Sequence, residues 1–89
     1  MDSKLNETLI ITQEECAEVV QSISKVFRFG IDNSHKSGKT QRENLTTEVG
    51  DLLAMIDLLV EQGVFTQAEL DVAKQAKIEK LRIWSNILN

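Results

Sequence analysis

Three proline-free stretches, each carrying apolar residues three and four positions apart, leave this chain little alternative to helix. In the first, Leu5, Leu9, Cys16, Val19, Ile23 and Val26 fall on one stripe, interrupted only at Thr12. The second carries Leu45, Val49, Leu52, Ile56 and Leu59. The third carries Leu70, Ala73, Leu81, Trp84 and Leu88, interrupted at Lys77. The first helix is predicted from Ser3 or Lys4 to Phe29, with Gly30 as its stop. Thr12-x-x-Glu15 offers a capping box and a later start, but the stripe already reaches back to Leu5. Residues 31–39, rich in Asp, Asn, Ser and Gly, read as an exposed loop. The second helix then runs from about Gln41 to Gln62, with Thr40 placed to cap it and Gly63 to end it. Thr66 and Glu69 form a capping box for a third helix lasting to about Leu88. No segment alternates with the two-residue period of a strand. The expected fold is all-α, three long helices in one domain spanning 1–89.

A chain of 89 residues buries only about 60–65% of its unfolded surface. Yet a helix of about 25 residues is already about 38 Å long. Three helices approaching that length carry more apolar edge than one short chain covers. Val20, Phe27, Leu53, Val60 and Ile83 lie beside the main stripes with no evident partner. A helical bundle completed by self-association, as a homodimer or homotetramer, is the expected remedy.

Composition excludes several classes. The longest apolar runs fall far short of the roughly 20 residues that span a bilayer, so no membrane association is expected. The N-terminal Met1-Asp2-Ser3-Lys4 lacks the basic start and apolar stretch of a signal peptide. A single cysteine, Cys16, forms no internal disulfide and reads as a small, semi-buried apolar residue. The cytoplasm is the expected compartment. A net charge of −4 offers no basic excess with which to grip nucleic acid.

The acidity has a particular distribution. Glu14-Glu15-x-x-Glu18 lies in the first helix, and Glu48-x-x-Asp51 in the second. Acids three apart on a helix face the same way and repel by a few tenths of a kcal/mol per pair. In both helices the acids sit one position ahead of stripe residues: Cys16 and Val19 in the first, Val49 and Leu52 in the second. If the two stripes pack together, all four acids line one edge of the contact. Removing Glu15, Glu18, Glu48 and Asp51 from the fourteen acids leaves ten, against ten bases. Carboxylates with no His or Cys at ligand spacing suit Mg²⁺, or Mn²⁺ as a substitute, better than Zn²⁺. The alternative is a solvated acidic face on a noncatalytic helical oligomerisation or interaction module. A carboxylate-bridged iron or manganese bundle would ordinarily use Glu-x-x-His pairs, which this chain lacks.

Together the two acidic motifs resemble the signature of the all-α nucleotide pyrophosphohydrolases of the MazG type. Further matches are Lys25-x-x-Arg28-Phe29-Gly30, Asn44 ahead of the second motif, and Lys77-x-x-Lys80-Leu81-Arg82-x-Trp84. The similarity covers about residues 10–86 and is greatest to short, single-domain members, including those encoded by bacteriophages. It implies Mg²⁺-dependent cleavage of a nucleoside triphosphate to a monophosphate and pyrophosphate, in control of a nucleotide pool. Carried over, Glu15, Glu18, Glu48 and Asp51 would bind the metal. Glu14 would be a further ligand or orient a water, and Glu15 or Glu14 would act as general base. Lys25, about two turns beyond Glu18, is placed for a phosphate chain, and Arg28 for a bidentate grip. Lys77, Lys80 and Arg82 are further phosphate candidates, although a helix C-terminus attracts basic residues in any case. Trp84 is either a base-stacking platform or part of the core or subunit interface. Asn33 and Asn44 could read a base edge or serve as caps, and His35 reads as solvated. Twenty-nine residues separate Glu18 from Glu48, and there is no Tyr and only one Trp. Base selectivity therefore has few aromatic candidates.

Overall fold

The computed structural model describes residues 2–36 and 38–89, so Met1 and Ser37, the latter inside the expected loop, lie outside it. Its elements are α1 (Ser3–Phe29), α2 (Gln41–Glu61) and α3 (Gln67–Trp84). Among the described residues no strand forms, only an isolated antiparallel bridge between Ser34 and Thr40.

Side-chain chemistry explains the helix starts. Asp2 caps α1 by accepting the Leu5 N–H at 2.8 Å. Thr12 is not a cap: its hydroxyl donates to the Thr8 carbonyl at 2.7 Å within the helix. Thr40 with Glu43 and Thr66 with Glu69 form reciprocal capping boxes at α2 and α3. The α3 helix stops four residues before the expected Leu88. Ser85 turns extended, and its hydroxyl accepts the Ile87 N–H at 3.2 Å. That local bond competes with another helical turn, and no packing partner opposes it.

Helices α1 and α2 form an antiparallel hairpin, with Thr8 meeting Gln62 near one end and Ser22 and Gln41 sharing a cleft near the other. The connecting loop is tied at several points. Asp32 and Arg42 pair through two bonds of 2.8 and 3.2 Å, and the Asn33 amide donates to the Phe29 carbonyl at 2.7 Å. The Gln41 N–H donates to the Asn33 carbonyl at 3.1 Å. Gly30 makes this turn with φ of 89°, and a Cβ there would lie 2.6 Å from the Asn33 amide nitrogen. Gly30→Ala is therefore expected to lower stability by more than about 1 kcal/mol, measured as a fall in the urea midpoint at unchanged slope.

The seam of the hairpin is rotated from the apolar stripes. On α1 it runs through Leu5, Thr8, Thr12, Glu15, Val19, Ser22, Val26 and Phe29, leaving Cys16 and Ile23 exposed. On α2 it runs through Gln41, Asn44, Leu45, Glu48, Leu52, Ile56 and Leu59, leaving Val49 exposed. Polar residues take some of the deepest positions. Thr8, for one, is fully engaged, donating to the Lys4 carbonyl and accepting from the Gln62 amide at 2.9 Å. The semi-buried reading of Cys16 is thus corrected.

Little of α3 packs against the hairpin, and none of its residues is buried. Trp84 is 83% exposed, so within one chain it is not core. Leu88 and Ala73 are likewise exposed, whereas Ile78, outside the expected face, is half-buried. The result is a single layer measuring 41 × 37 × 14 Å, with a radius of gyration of 15.9 Å. A compact chain of this length would have a radius of about 12 Å. Leu59 is the one buried apolar side chain among the described residues. Val20, Phe27, Leu53 and Ile83 remain exposed as expected, while Val60 is half-buried.

Candidate active site

The rotated seam carries Glu15 and Glu48 inward. Each is half-buried where α1 faces α2, and Asp51, one turn beyond Glu48, joins them from the exposed edge. The three offer carboxylate oxygens that all lie within 4.8 Å of one another. Glu18 stands outside this trio but shares the adjoining cleft with Glu48. Glu14 is exposed and belongs to neither.

Electrostatics bear out the crowding. The Glu15 carboxyl is raised above its ordinary 4.5, first by desolvation and then by the charges of Asp51, Glu48, Glu18 and Glu14. Three acids converging from two helices, with no Lys or Arg in the group, oppose the packing that brings them together. A hard divalent cation relieves that opposition and is well served by an all-oxygen donor set.

A pH dependence follows. With its carboxyl raised, Glu15 holds more proton folded than unfolded. Stability therefore falls as pH rises from about 4.5 through the raised value. Asp32, paired with Arg42, Glu43, bonded to Thr40, and Asp71, bonded to Gln67, are lowered and slope the other way at more acid pH. Subtracting the profile of Glu15→Gln isolates the Glu15 contribution. Melting curves without divalent ions should show wild type losing stability relative to that variant as pH rises through this window. Saturating Mg²⁺ or Mn²⁺ should abolish the difference, and at one hundred times the dissociation constant should itself add about 2.7 kcal/mol.

Beside the trio lies a cleft of about 270 Å³, bounded by Glu18, Gln21, Ser22 and Lys25 on α1, His35 in the loop, and Gln41, Asn44 and Glu48 on α2. The structure thus gathers Glu18, Lys25, Asn44 and Glu48 around one space. Arg28 points elsewhere, its guanidinium carbon 4.9 Å from the centre of the Phe29 ring. On its neighbour Phe29, His35 stacks at 4.0 Å with 11° between the rings, so His35 is engaged rather than merely solvated. Lys77, Lys80, Arg82 and Trp84 lie on α3, and none lines the cleft. Arg82 pairs instead with Glu79 at 3.5 Å.

Apolar periodicity passes over Ser22 and Gln41, because neither is apolar. The signal for Gln41 was nevertheless present. Thr40-x-x-Glu43 fixes the start of α2, which places Gln41, Asn44 and Glu48 on one face of the helix.

Comparison with known proteins gives one family. The model of the MazG nucleotide pyrophosphohydrolase domain matches residues 4–82 of the 89. No curated protein and no solved structure matches the chain.

Proposed function

Because the chain belongs to the MazG nucleotide pyrophosphohydrolase family, we propose that it hydrolyses a nucleoside triphosphate between the α- and β-phosphates, with Mg²⁺ as its cofactor. The observation that carries this reading is the convergence of Glu15, Glu48 and Asp51 from two helices onto one point. Those three acids would hold the ion, and Glu18, at the edge of the adjoining cleft, completes the donor set. When bound, the ion supplies charge neutralisation on the phosphates and acidity to a water.

The chain's own residues do the rest. Lys25, on the cleft wall, takes the phosphate oxygens as a mobile point charge. Glu15 is the better placed of the two acids expected to accept the proton of the attacking water. It is one of the three converging acids, within reach of a water held by the cation, whereas Glu14 is exposed outside the group. The water oxygen bonds to the α-phosphorus, the bridging bond to the β-phosphate breaks, and pyrophosphate leaves with that electron pair. The monophosphate remains.

The exposed apolar surface supports an assembled enzyme. Val72, Ile83, Trp84 and Ile87 are each more than 70% exposed, and α3 has scarcely any partner within its own chain. A homodimer or homotetramer would cover these residues. Among the described residues no helix is long and apolar enough to cross a membrane. A role in cytoplasmic nucleotide-pool control fits the reaction.

Hydrolysis in heavy-oxygen water tests the chemistry. The label is expected in the monophosphate, with pyrophosphate as the co-product. Label in pyrophosphate would mean attack at the β-phosphorus and overturn the proposed orientation. Consumption of no nucleotide at all would favour the noncatalytic helical module.

A further inference from the structure

Two side chains in the cleft are buried without a partner. Gln41 is 1% exposed and Ser22 is 5% exposed, yet the Gln41 carbonyl oxygen (Oε1) and the Ser22 hydroxyl oxygen have no hydrogen-bond partner. Buried polar groups are rarely left so, because an unmade bond costs more than a made one returns. Both residues line the cleft, Ser22 from α1 and Gln41 from α2. Their positions are set by rigid elements: Ser22 lies seven residues beyond Glu15 on the same helix. Gln41 opens α2 behind the Thr40 cap, its main chain bonded to Asn33 at 3.1 Å.

The chemistry of this end differs from that of the acidic end. An unpaired carbonyl oxygen calls for a donor and repels phosphate oxygens. Asn44 adds another neutral amide, and among the described residues Lys25 is the one Lys or Arg on the cleft wall. Phosphate oxygens carry no hydrogen to offer that carbonyl; they belong with a cation at the acidic cluster and with the Lys25 ammonium, and a neutral ligand bearing N–H groups belongs against Gln41. The volume agrees: about 270 Å³ is just under the usual range for a small-molecule pocket, enough for a heterocycle with part of its sugar. His35, stacked flat on Phe29, borders this space from the loop.

We propose that Gln41 and Ser22 are the base-reading residues of the site, with Gln41 accepting a ring or exocyclic N–H of the nucleobase and Ser22 bonding a neighbouring polar atom of the same edge. The identity of the ligand rests on the pyrophosphohydrolase reading, whereas the unpaired side chains and the cleft do not. A site built around a hydrogen bond to its substrate discriminates strongly against a ligand that lacks the matching group.

Two measurements test the proposal. The first is the ratio of kcat/KM for the preferred nucleoside triphosphate to that for the base-free deoxyribose triphosphate, a ratio insensitive to the fraction of protein folded. Gln41→Met, close in shape and unable to hydrogen-bond, is expected to lower that ratio at least tenfold. Ser22→Ala is the milder variant, expected to lower it in the same direction. An unchanged ratio in both overturns the proposal, and so covers the case in which Gln41 reads a sugar hydroxyl. An altered assembled mass for Gln41→Met with an unchanged ratio would assign the amide to a subunit contact and overturn it equally. The second measurement needs neither phosphate nor metal. The Gln41 side-chain amide resonances should shift on titration with free deoxynucleosides at millimolar concentration. If no nucleoside moves them, the base-reading role fails even where triphosphates are hydrolysed. If they move while no triphosphate is hydrolysed, the cleft assignment stands and the catalytic reading falls.

Discussion

Asp51→Asn and Glu48→Gln are each expected to reduce turnover by at least a thousandfold while leaving the helical circular dichroism intact. Each substitution removes one formal charge from a group whose oxygens lie within 4.8 Å of one another, so cation affinity and turnover should fall together. The expected magnitude corresponds to about 4 kcal/mol of transition-state stabilisation, reasonable for loss of an ionic ligand at a metal site of the proposed kind. Stability should move the other way. Without divalent ions, relieving the repulsion that raises Glu15 should leave either variant more stable than wild type. Steady-state kinetics and melting curves on the same preparations check both halves. Near-normal metal-dependent turnover in both variants would refute the assignment of these ligands.

Charging the exposed apolar surface should have an effect of similar size on the whole molecule. Light scattering at micromolar concentration is expected to give at least twice the 10.0 kDa chain mass. Trp84 and Ile83, 83% and 78% exposed in the single chain, and Leu53, 57% exposed on α2, would then be covered by a neighbour. Trp84→Glu or Leu53→Glu should return the mass toward that of one chain. Each should also cost roughly 3 kcal/mol or more of stability per subunit, because the chain must either bury a charge at the interface or forgo the apolar burial that association supplies. A 14 Å layer with one buried apolar residue holds little in reserve. The melting temperature should therefore fall by well over ten degrees and become concentration-dependent. A stable, fully active wild-type monomer would rule this out.

The helices were legible in the sequence because their signals are local. The capping boxes at Thr40 and Thr66, the stop at Gly30 and the spacing of apolar residues each act within a few positions of the chain. The acidic cluster was legible in part: matching offsets placed Glu15, Glu18, Glu48 and Asp51 along one edge of two packed stripes, whereas the rotated seam brings Glu15, Glu48 and Asp51 together and leaves Glu18 outside that trio. The rotation of the seam was not legible. It depends on Thr8, Ser22 and Gln41 being buried, and hydrophobic spacing carries no information about polar side chains that find partners or await a ligand. The weak attachment of α3 was also hidden. Leu70, Leu81 and Trp84 describe an amphipathic helix equally well whether it docks on its own chain or on another. Periodicity specifies which face is apolar and leaves open whose core it enters.

Placing Glu15 and Glu48 on the seam itself has a kinetic consequence. An antiparallel hairpin made from neighbouring helices is a low-contact-order element and closes quickly once its helices have nucleated. Here the two surfaces that must meet carry converging negative charge, so closure proceeds against repulsion felt before the native contacts are complete. The candidate site is thereby expected to act as a brake on the chain's own folding. Its strength is expected to follow ionic strength and divalent ions in the surrounding solution, so the ions proposed as cofactor should also hasten formation of the fold.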